Sequence, residues 1–204
     1  MTTPKTLLEL AGAPLAPSRL EAAALVVVDA QGEYRDGRLP LEGIGPALAR
    51  LAALLDAARA AGTPVIHIAH KGRAGGLFDR DAAGGAILPE AAPLGGEAVI
   101  EKPLPNAFAQ TGLQEALAAT GRRELILAGF QTHMCVSSTA RAALDLGWRV
   151  TVAADAAATR ALPDPLGGEP FTGAALHRAA LAALADRFAI VAPVGAIVAA
   201  SLRA

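Results

Sequence analysis

Three residues that could together perform nucleophilic chemistry each stand at the end of an apolar run: Asp29, Lys102 and Cys135. A thiolate can attack a carbonyl carbon when a base takes its proton and a cation supports the charges that develop. Asp29 is a candidate base, although an aspartate there could equally cap a helix. Lys102 is one of three lysines beside fifteen arginines, and the compact ammonium of lysine suits a tight, partly buried site better than guanidinium does.

Cys135 lies in the most informative segment of the chain, GFQTHMCVSSTARAALDLG at 129–147. The pattern predicts a helix over 134–146, which places the cysteine in the first turn. Unpaired N–H groups and the helix dipole stabilise a thiolate there. A lone cysteine is otherwise most often a small buried hydrophobe. Its position at a strand-to-helix connection favours a nucleophile with an acidic thiol.

Apolar runs and helical segments alternate along the whole chain. The runs predict six strands, at 24–28, 65–68, 99–100, 125–128, 150–153 and 188–191. Helices are predicted at 44–61, 110–119, 134–146 and 173–185. This alternation predicts an α/β fold with three layers, α/β/α, and a six-stranded, mainly parallel, Rossmann-like sheet. Ligands of such sheets bind outside the carboxyl ends of the strands, so Asp29, Lys102 and Cys135 are expected at one edge.

Two irregular stretches, 71–98 and 155–171, are long enough to predict pocket walls, lids or subunit contacts. Gln31 shares the side of the extended chain that Asp29 occupies, so it is expected to line the same pocket. Tyr34, Leu77 and Phe108 are candidate pocket walls, with packing in the core as the alternative. His177, on the last long helix, is expected to be solvated.

Composition narrows the class of protein. The 204 residues include 18 basic and 19 acidic side chains, which argues against nucleic-acid and membrane partners. The single cysteine excludes an intrachain disulfide and a cysteine-cluster zinc site, and fits a reducing cytosol. The first twenty residues make a poor signal peptide. We therefore expect one cytoplasmic domain over 1–204 that acts on a small molecule.

Four segments together carry a resemblance to a known family: LVVVDAQ at 25–31, EKPLPNAF at 101–108, GFQTHMCVSSTARAALDLG at 129–147 and VTVAADAAAT at 150–159. The chain resembles the isochorismatase-like cysteine hydrolases, the superfamily of nicotinamidases and N-carbamoylsarcosine amidases. The likeness covers a core over 23–198, after an N-terminal extension over 1–20.

The resemblance implies a mechanism. Cys135 attacks a carbonyl carbon, Asp29 shuttles protons and Lys102 supports both charges. A thioester acyl-enzyme forms, an amine or ammonia leaves, and water completes the hydrolysis. The resemblance also implies a non-proline cis peptide between Phe130 and Gln131, with the backbone N–H groups of Gln131 and Cys135 as the oxyanion hole.

The resemblance also bears on metals and on subfamily. The D-x-H metal element of nicotinamidases is absent, and alternation along a strand places His67 and His70 on opposite faces. We therefore predict no metal and no cofactor. His70 is expected to line the pocket or to be bonded structurally, and Thr132 and His133, beside the cysteine, are candidate substrate-binding residues. The retained cysteine favours an amide or carbamoyl C–N bond.

Two alternatives remain open from the sequence. One is an isochorismatase-type hydrolase of a vinyl ether, for which the cysteine would be dispensable. The other, of a different class, is a non-catalytic or redox-sensing domain that keeps the fold and an easily oxidised thiol.

Members of the family that the chain resembles are commonly dimers or tetramers, so a homodimer or homotetramer is expected, with the apolar C-terminal segment over 188–202 as a possible interface.

Overall fold

The computed structural model describes residues 3–202. Six strands form one sheet in the order β3-β2-β1-β4-β5-β6, and every neighbouring pair is parallel. The strands are β1 (Ala23–Val28), β2 (Val65–His70), β3 (Ala98–Lys102), β4 (Glu124–Phe130), β5 (Arg149–Ala158) and β6 (Ile190–Ala192). The helices are α1 (Leu7–Leu10), α2 (Ile44–Ala60), α3 (Leu113–Ala119), α4 (Ser137–Asp145), α5 (Gly173–Arg187) and α6 (Val194–Ser201). The predicted α/β architecture is confirmed.

The two faces of the sheet carry separate apolar clusters. Every residue of β1 is buried, and successive side chains of a strand point to opposite faces. Leu25 and Val27 pack with α2 and α6 on one face. Val26 and Val28 pack with α3, α4 and α5 on the other. The sheet is therefore covered on both sides, as the uninterrupted apolar runs of its central strands require.

Strand β5 is longer than the sequence predicted. The prediction ended at Ala153, whereas the strand continues to Ala158. Its pairing with β4 shifts between Leu127, opposite Val152, and Gly129, opposite Ala157. The extension is rich in alanine, whose low strand propensity hid it. The irregular stretch predicted from residue 155 consequently begins only after Ala158, and the strand end reaches the edge where Cys135 lies.

Other boundaries also differ from the predictions. The third strand runs over Ala98–Lys102 rather than 99–100, and Phe188, expected in the sixth strand, caps the end of α5 instead. Helix α3 begins at Leu113 because Gln110 has a left-handed backbone, with φ of 59°. The helical backbone around the cysteine begins earlier than predicted, with a π-helical turn over Thr132–Val136 that runs into α4.

The apolar C-terminal segment is largely used within the chain. Val194 and Ile197 of α6 are buried in the cluster formed with α2. The N-terminal extension is also tied to the body of the protein, since the backbone N–H of Leu7 donates to Asp186. Within residues 3–202, no helix combines the length and apolarity needed to cross a bilayer.

Candidate active site

The carboxyl ends of β1, β3 and β4 bring Asp29, Lys102 and Cys135 together. The Nζ atom of Lys102 lies 2.8 Å from Oδ2 of Asp29 and 3.3 Å from Sγ of Cys135. Asp29 and Lys102 are fully buried, and Cys135 is 4% exposed. The three residues singled out from the sequence therefore form one buried cluster at the edge of the sheet where parallel α/β folds bind ligands.

The turn that carries Cys135 depends on a close approach between two strands. Gly129 has φ of 111°, and a Cβ there would lie 2.1 Å from the carbonyl oxygen of Val28 on β1. Only glycine allows this backbone geometry. The peptide bond between Phe130 and Gln131, shortly after this glycine, is cis. The π-helical turn follows at once, so the chain reverses from β4 into α4 with the cysteine facing Lys102.

The ammonium group of Lys102 is held by four contacts. Besides Asp29 and Cys135, it donates to the carbonyl oxygen of Leu104 at 3.1 Å and lies 3.3 Å from Nδ1 of His70. Burial and the charge of Lys102 lower the pKa of His70 to about 4. His70 is therefore neutral at pH 7, and its Nδ1 can accept from the ammonium.

Burial controls the protonation of the other two groups. It raises the pKa of Asp29, an effect that the positive charge of Lys102 opposes. Burial also raises the pKa of the Cys135 thiol to about 12, and the negative charge of Asp29 acts in the same direction. The acidic thiol expected from the helix start is therefore wrong, because desolvation of a thiolate outweighs the helix dipole. The resting cysteine is a thiol.

Gln31 is buried, and its side-chain amide is bonded to the backbone of neighbouring segments. Its side-chain amide donates to the carbonyl oxygens of His70 and Gly85, and its Oε1 accepts from the N–H of His70. These bonds tie the end of β1 to the end of β2 and to the loop over 71–98. The backbone of these neighbours uses the polar atoms of the amide, and the lining of the substrate pocket by Gln31 stays a prediction. Its placement suits positioning of Asp29 and His70.

The other predicted pocket residues surround the cluster. The ring of Tyr34 packs edge-on against Phe78 at 5.1 Å and Phe130 at 6.1 Å, and the Tyr34 hydroxyl bonds to the side chain of Gln131. The ring of His70 packs against Phe78 from another side, also at 5.1 Å.

Phe108 and Leu77 are both partly buried, but they belong to different faces of the sheet. Phe108 packs against the apolar cluster that includes Cys135. Leu77 packs against the cluster on the opposite face.

Two threonine–histidine contacts hold the turn that bears the nucleophile. Oγ1 of Thr132 lies 2.8 Å from Nδ1 of His177 on α5, and Nδ1 of His133 contacts Oγ1 of Thr159, just after β5. His177 is half-buried, and its ring also bonds to the backbone of Ala154. The expectation that His177 is solvated is therefore wrong. Neither His177 nor Thr159 could be paired with this turn from spacing, because both contacts join segments distant in sequence.

His67 belongs to a different network, away from the cluster. Its Nε2 lies 2.8 Å from Glu97, whose carboxylate also accepts from Arg59 at 2.8 Å and 2.9 Å. His70 faces Lys102 instead, so the two histidines do not converge. Over residues 3–202, no group of three or more His, Cys, Asp or Glu side chains is arranged to hold a metal ion.

Comparisons with known proteins place this arrangement in context. The family model described as the isochorismatase domain matches residues 23–195. A solved isochorismatase structure from Pseudomonas putida superposes with a TM-score of 0.91 at 44% identity, over 96% of this chain and 100% of that chain. A secreted isochorismatase effector of Verticillium dahliae is 38% identical over 87% of this chain and 90% of its own length. A ureidoacrylate amidohydrolase of Stutzerimonas stutzeri is 32% identical over 70% of this chain and 72% of its own length.

Proposed function

The chain belongs to the isochorismatase family, as the resemblance in its sequence predicted, and we propose that it is a cysteine hydrolase that cleaves the C–N bond of a small amide or carbamoyl compound. The observation that carries the proposal is the position of the Lys102 ammonium, within 2.8 Å of a buried carboxylate and 3.3 Å of a buried thiol. The amidohydrolase among the relatives supports this bond type.

The first step is a proton transfer inside the cluster. The thiol and the carboxyl group both resist ionisation, because each charge would be desolvated. When a proton moves from Cys135 to Asp29, the aspartate carboxylate becomes neutral and the cysteine thiol becomes a thiolate. The net charge beside Lys102 therefore does not change. This internal transfer avoids placing an additional charge in the buried site, and it produces the thiolate where the substrate carbonyl carbon would lie.

The thiolate then attacks the carbonyl carbon, and the carbonyl oxygen becomes an oxyanion. We assign its stabilisation to the backbone N–H groups of Gln131, just before the π-helical turn, and of Cys135, within that turn. Donors fixed in advance around a developing negative charge cost no reorganisation during the reaction. Side chains are not required for this role.

Asp29 carries the proton through the remaining steps. As the carboxylic acid, it donates the proton to the leaving nitrogen, the C–N bond breaks, and ammonia or an amine departs from a thioester on Cys135. Asp29, again a carboxylate, accepts a proton from the attacking water. When the thioester collapses to the acid product, this proton returns to the departing thiolate, and the resting thiol is restored.

The test combines turnover with the mass of the intermediate. Ammonia release is measured for purified protein with small primary amides and N-carbamoyl compounds, and acid-quenched samples are weighed intact. The only cysteine is Cys135, so an acyl adduct on sulfur has one possible location. Cys135→Ala should reduce turnover by about 10⁴-fold or more, as loss of a nucleophile does in other hydrolases.

The matched control is Ser138→Ala, a small substitution on α4 close to Cys135 in sequence. It should retain activity and adduct formation. A Cys135→Ala protein that still hydrolyses at the unmodified rate would refute the thioester mechanism and favour the cysteine-independent cleavage of a vinyl ether. Absence of turnover and adducts across the series would favour a non-catalytic domain.

A further inference from the structure

The first residue of the π-helical turn is bonded to a helix that carries none of the reacting groups. Oγ1 of Thr132 lies 2.8 Å from Nδ1 of His177 on α5. Thr132 has no exposed surface, so water cannot replace His177 as a partner of this hydroxyl. A buried hydroxyl that loses its partner is costly. The position of Thr132 therefore depends on the histidine of α5.

The positions of the protons in this contact follow from the surroundings of the His177 ring. Burial lowers the pKa of His177, so the ring is neutral at pH 7 and one of its nitrogens carries no proton. The ring also bonds to the backbone of Ala154, which opposes this effect. A carbonyl oxygen can only accept, so a ring N–H donates to Ala154. Because Nδ1 faces the Thr132 hydroxyl, which can donate, the proton lies on Nε2 and Nδ1 accepts.

Thr132 stands between the two N–H groups that we assign to the oxyanion hole. Gln131 directly precedes it, and Cys135 follows within the same turn. The carbonyl oxygen of Gln131 accepts from the N–H groups of Met134 and Val136 at 3.1 Å and 3.2 Å. Gln131 and the turn are thus joined into one unit, and a bond that fixes Thr132 also fixes the direction of both donors.

Helix α5 is placed to hold this unit. It packs against the π-helical turn, against α4 and against β5, so the His177 ring is carried by an element with contacts on several sides. Donors around a developing oxyanion are effective because they are oriented before the reaction. A small displacement of them therefore costs much of the rate.

We propose that His177 is a positioning residue for the hydrolysis: it accepts a hydrogen bond from Thr132 and thereby holds the oxyanion-hole donors in place. This inference rests on the proposed function and extends it to a residue of α5 that acts through Thr132 rather than on the substrate. Loss of the His177 ring should slow the chemical step and leave the binding of the substrate almost unchanged.

The first experiment measures kcat and KM for the primary amide that is hydrolysed fastest in the ammonia-release assay. His177→Leu removes the acceptor and should lower kcat by about 10–100-fold. KM should change by less than about 3-fold, because the lost interaction acts only in the transition state. His177→Asn places an amide oxygen close to the position of Nδ1 and should recover most of kcat. Urea unfolding of each variant shows whether it is folded.

An aldehyde probes the donors directly. The S–H group of Cys135 adds across the C=O bond of an aldehyde, which forms a C–S bond and a tetrahedral adduct whose oxygen occupies the oxyanion position. The inhibition constant of the aldehyde that corresponds to the amide should rise in His177→Leu by the factor by which kcat falls. It should change little in His177→Asn. Arg178→Gln, an exposed neighbour on α5, is the control for both measurements and should resemble the unmodified protein.

A double variant tests whether His177 acts through Thr132. Thr132→Val combined with His177→Leu should lose no more activity than His177→Leu alone, because the bond between the two side chains is already absent. Losses that multiply in the double variant would overturn the inference. An unchanged kcat in His177→Leu, or an equal loss in His177→Asn, would overturn it too.

Nitrogen NMR of the histidine rings separates this inference from the proposed function, because it requires no turnover. The chain has four histidines, so single variants assign each ring. For His177 at pH 7, we expect a proton on Nε2, none on Nδ1, and an Nδ1 resonance that moves in Thr132→Val. If this is observed but no amide is hydrolysed, the bond between α5 and the turn stands and the amidase proposal fails. A proton on Nδ1 refutes the inference whatever the turnover.

Discussion

At the scale of single residues, the notable feature is a complete ion pair buried beside a neutral thiol. Asp29 and Lys102 have no exposed surface, so both charges have lost their hydration. Such a pair is weak evidence for stability, because desolvation offsets much of the attraction between the charges. Its retention in this protein is better explained by the proton transfer to which both groups contribute.

This view makes a prediction about stability and activity together. Asp29→Asn or Lys102→Met leaves one buried charge unpaired, so each should lower the free energy of unfolding by about 3–5 kcal/mol. The double variant removes both charges and should lose less than the sum of the two. Urea unfolding measures the stability, and ammonia release should be lost in all three variants. Additive losses would show that the two groups are not energetically coupled.

Among single residues, the sequence predicted best the location of side chains that stand at strand ends, because the direction of a strand determines the sheet edge at which its end lies. Asp29 and Lys102 could be placed at one edge because parallel strands present their carboxyl ends together. The role of Gln31 could not be predicted, because alternation gives the face of a side chain but not which backbone groups it will bond. The protonation of Cys135 was missed for a related reason, since burial depends on the packing of the whole edge.

At the scale of elements, the network of Arg59, Glu97 and His67 joins α2, the segment before β3, and β2. Hydrogen bonds from Arg59 lower the pKa of Glu97 to about 2, from an ordinary value of 4.5. The folded state therefore binds this proton less tightly than the unfolded state does. Glu97 should contribute its full stability above about pH 4.5 and lose it as the pH falls towards 2.

Replacement of this carboxylate should therefore have a pH-dependent effect. Glu97→Gln should lower the free energy of unfolding by about 2–3 kcal/mol at pH 7, and the difference from the unmodified protein should shrink towards zero near pH 2. Denaturant unfolding across this range measures it. Glu169→Gln, on an exposed loop, is the control. A difference that stays constant with pH would exclude this ionisation as the cause.

The elements also show why some contacts escaped prediction. The strands were recognised wherever β-branched residues form them, and β5 was underestimated only in its alanine-rich half. Helix α5 was recognised, but no sequence pattern indicated that His177 would meet Thr132. This contact depends on how α5 packs across the extended β5, which is a tertiary property. The fold was thus more predictable than the surroundings of the site.

At the scale of the whole molecule, exposed apolar side chains stand on the segments that follow three strands. Leu104, Met134 and Phe171, which come after β3, β4 and β5, are 42%, 38% and 46% exposed. Exposed apolar groups close to a functional edge often mark a contact with another chain. The C-terminal segment, by contrast, already buries much of its apolar surface within the chain.

We therefore propose that copies of this chain associate through the edge that carries the site. Sedimentation velocity should show a species of two or four chains of 20.5 kDa each. Phe171→Glu should weaken the association, because it places a charge in an apolar contact, while Leu202→Glu at the far end of the chain should not. A monomer at every concentration tested would contradict the proposal.

Because Cys135 is buried, the reactivity of its thiol indicates whether the chain is folded. The chain contains one sulfhydryl, and in the native state this group is both shielded and protonated at neutral pH. In an unfolded chain the same group is accessible and ionises near pH 8.5. The rate at which an alkylating dye too bulky to enter the active site labels the protein therefore measures how often the chain opens. One dye per chain would count the opened molecules directly, even in a crude lysate resolved on a gel.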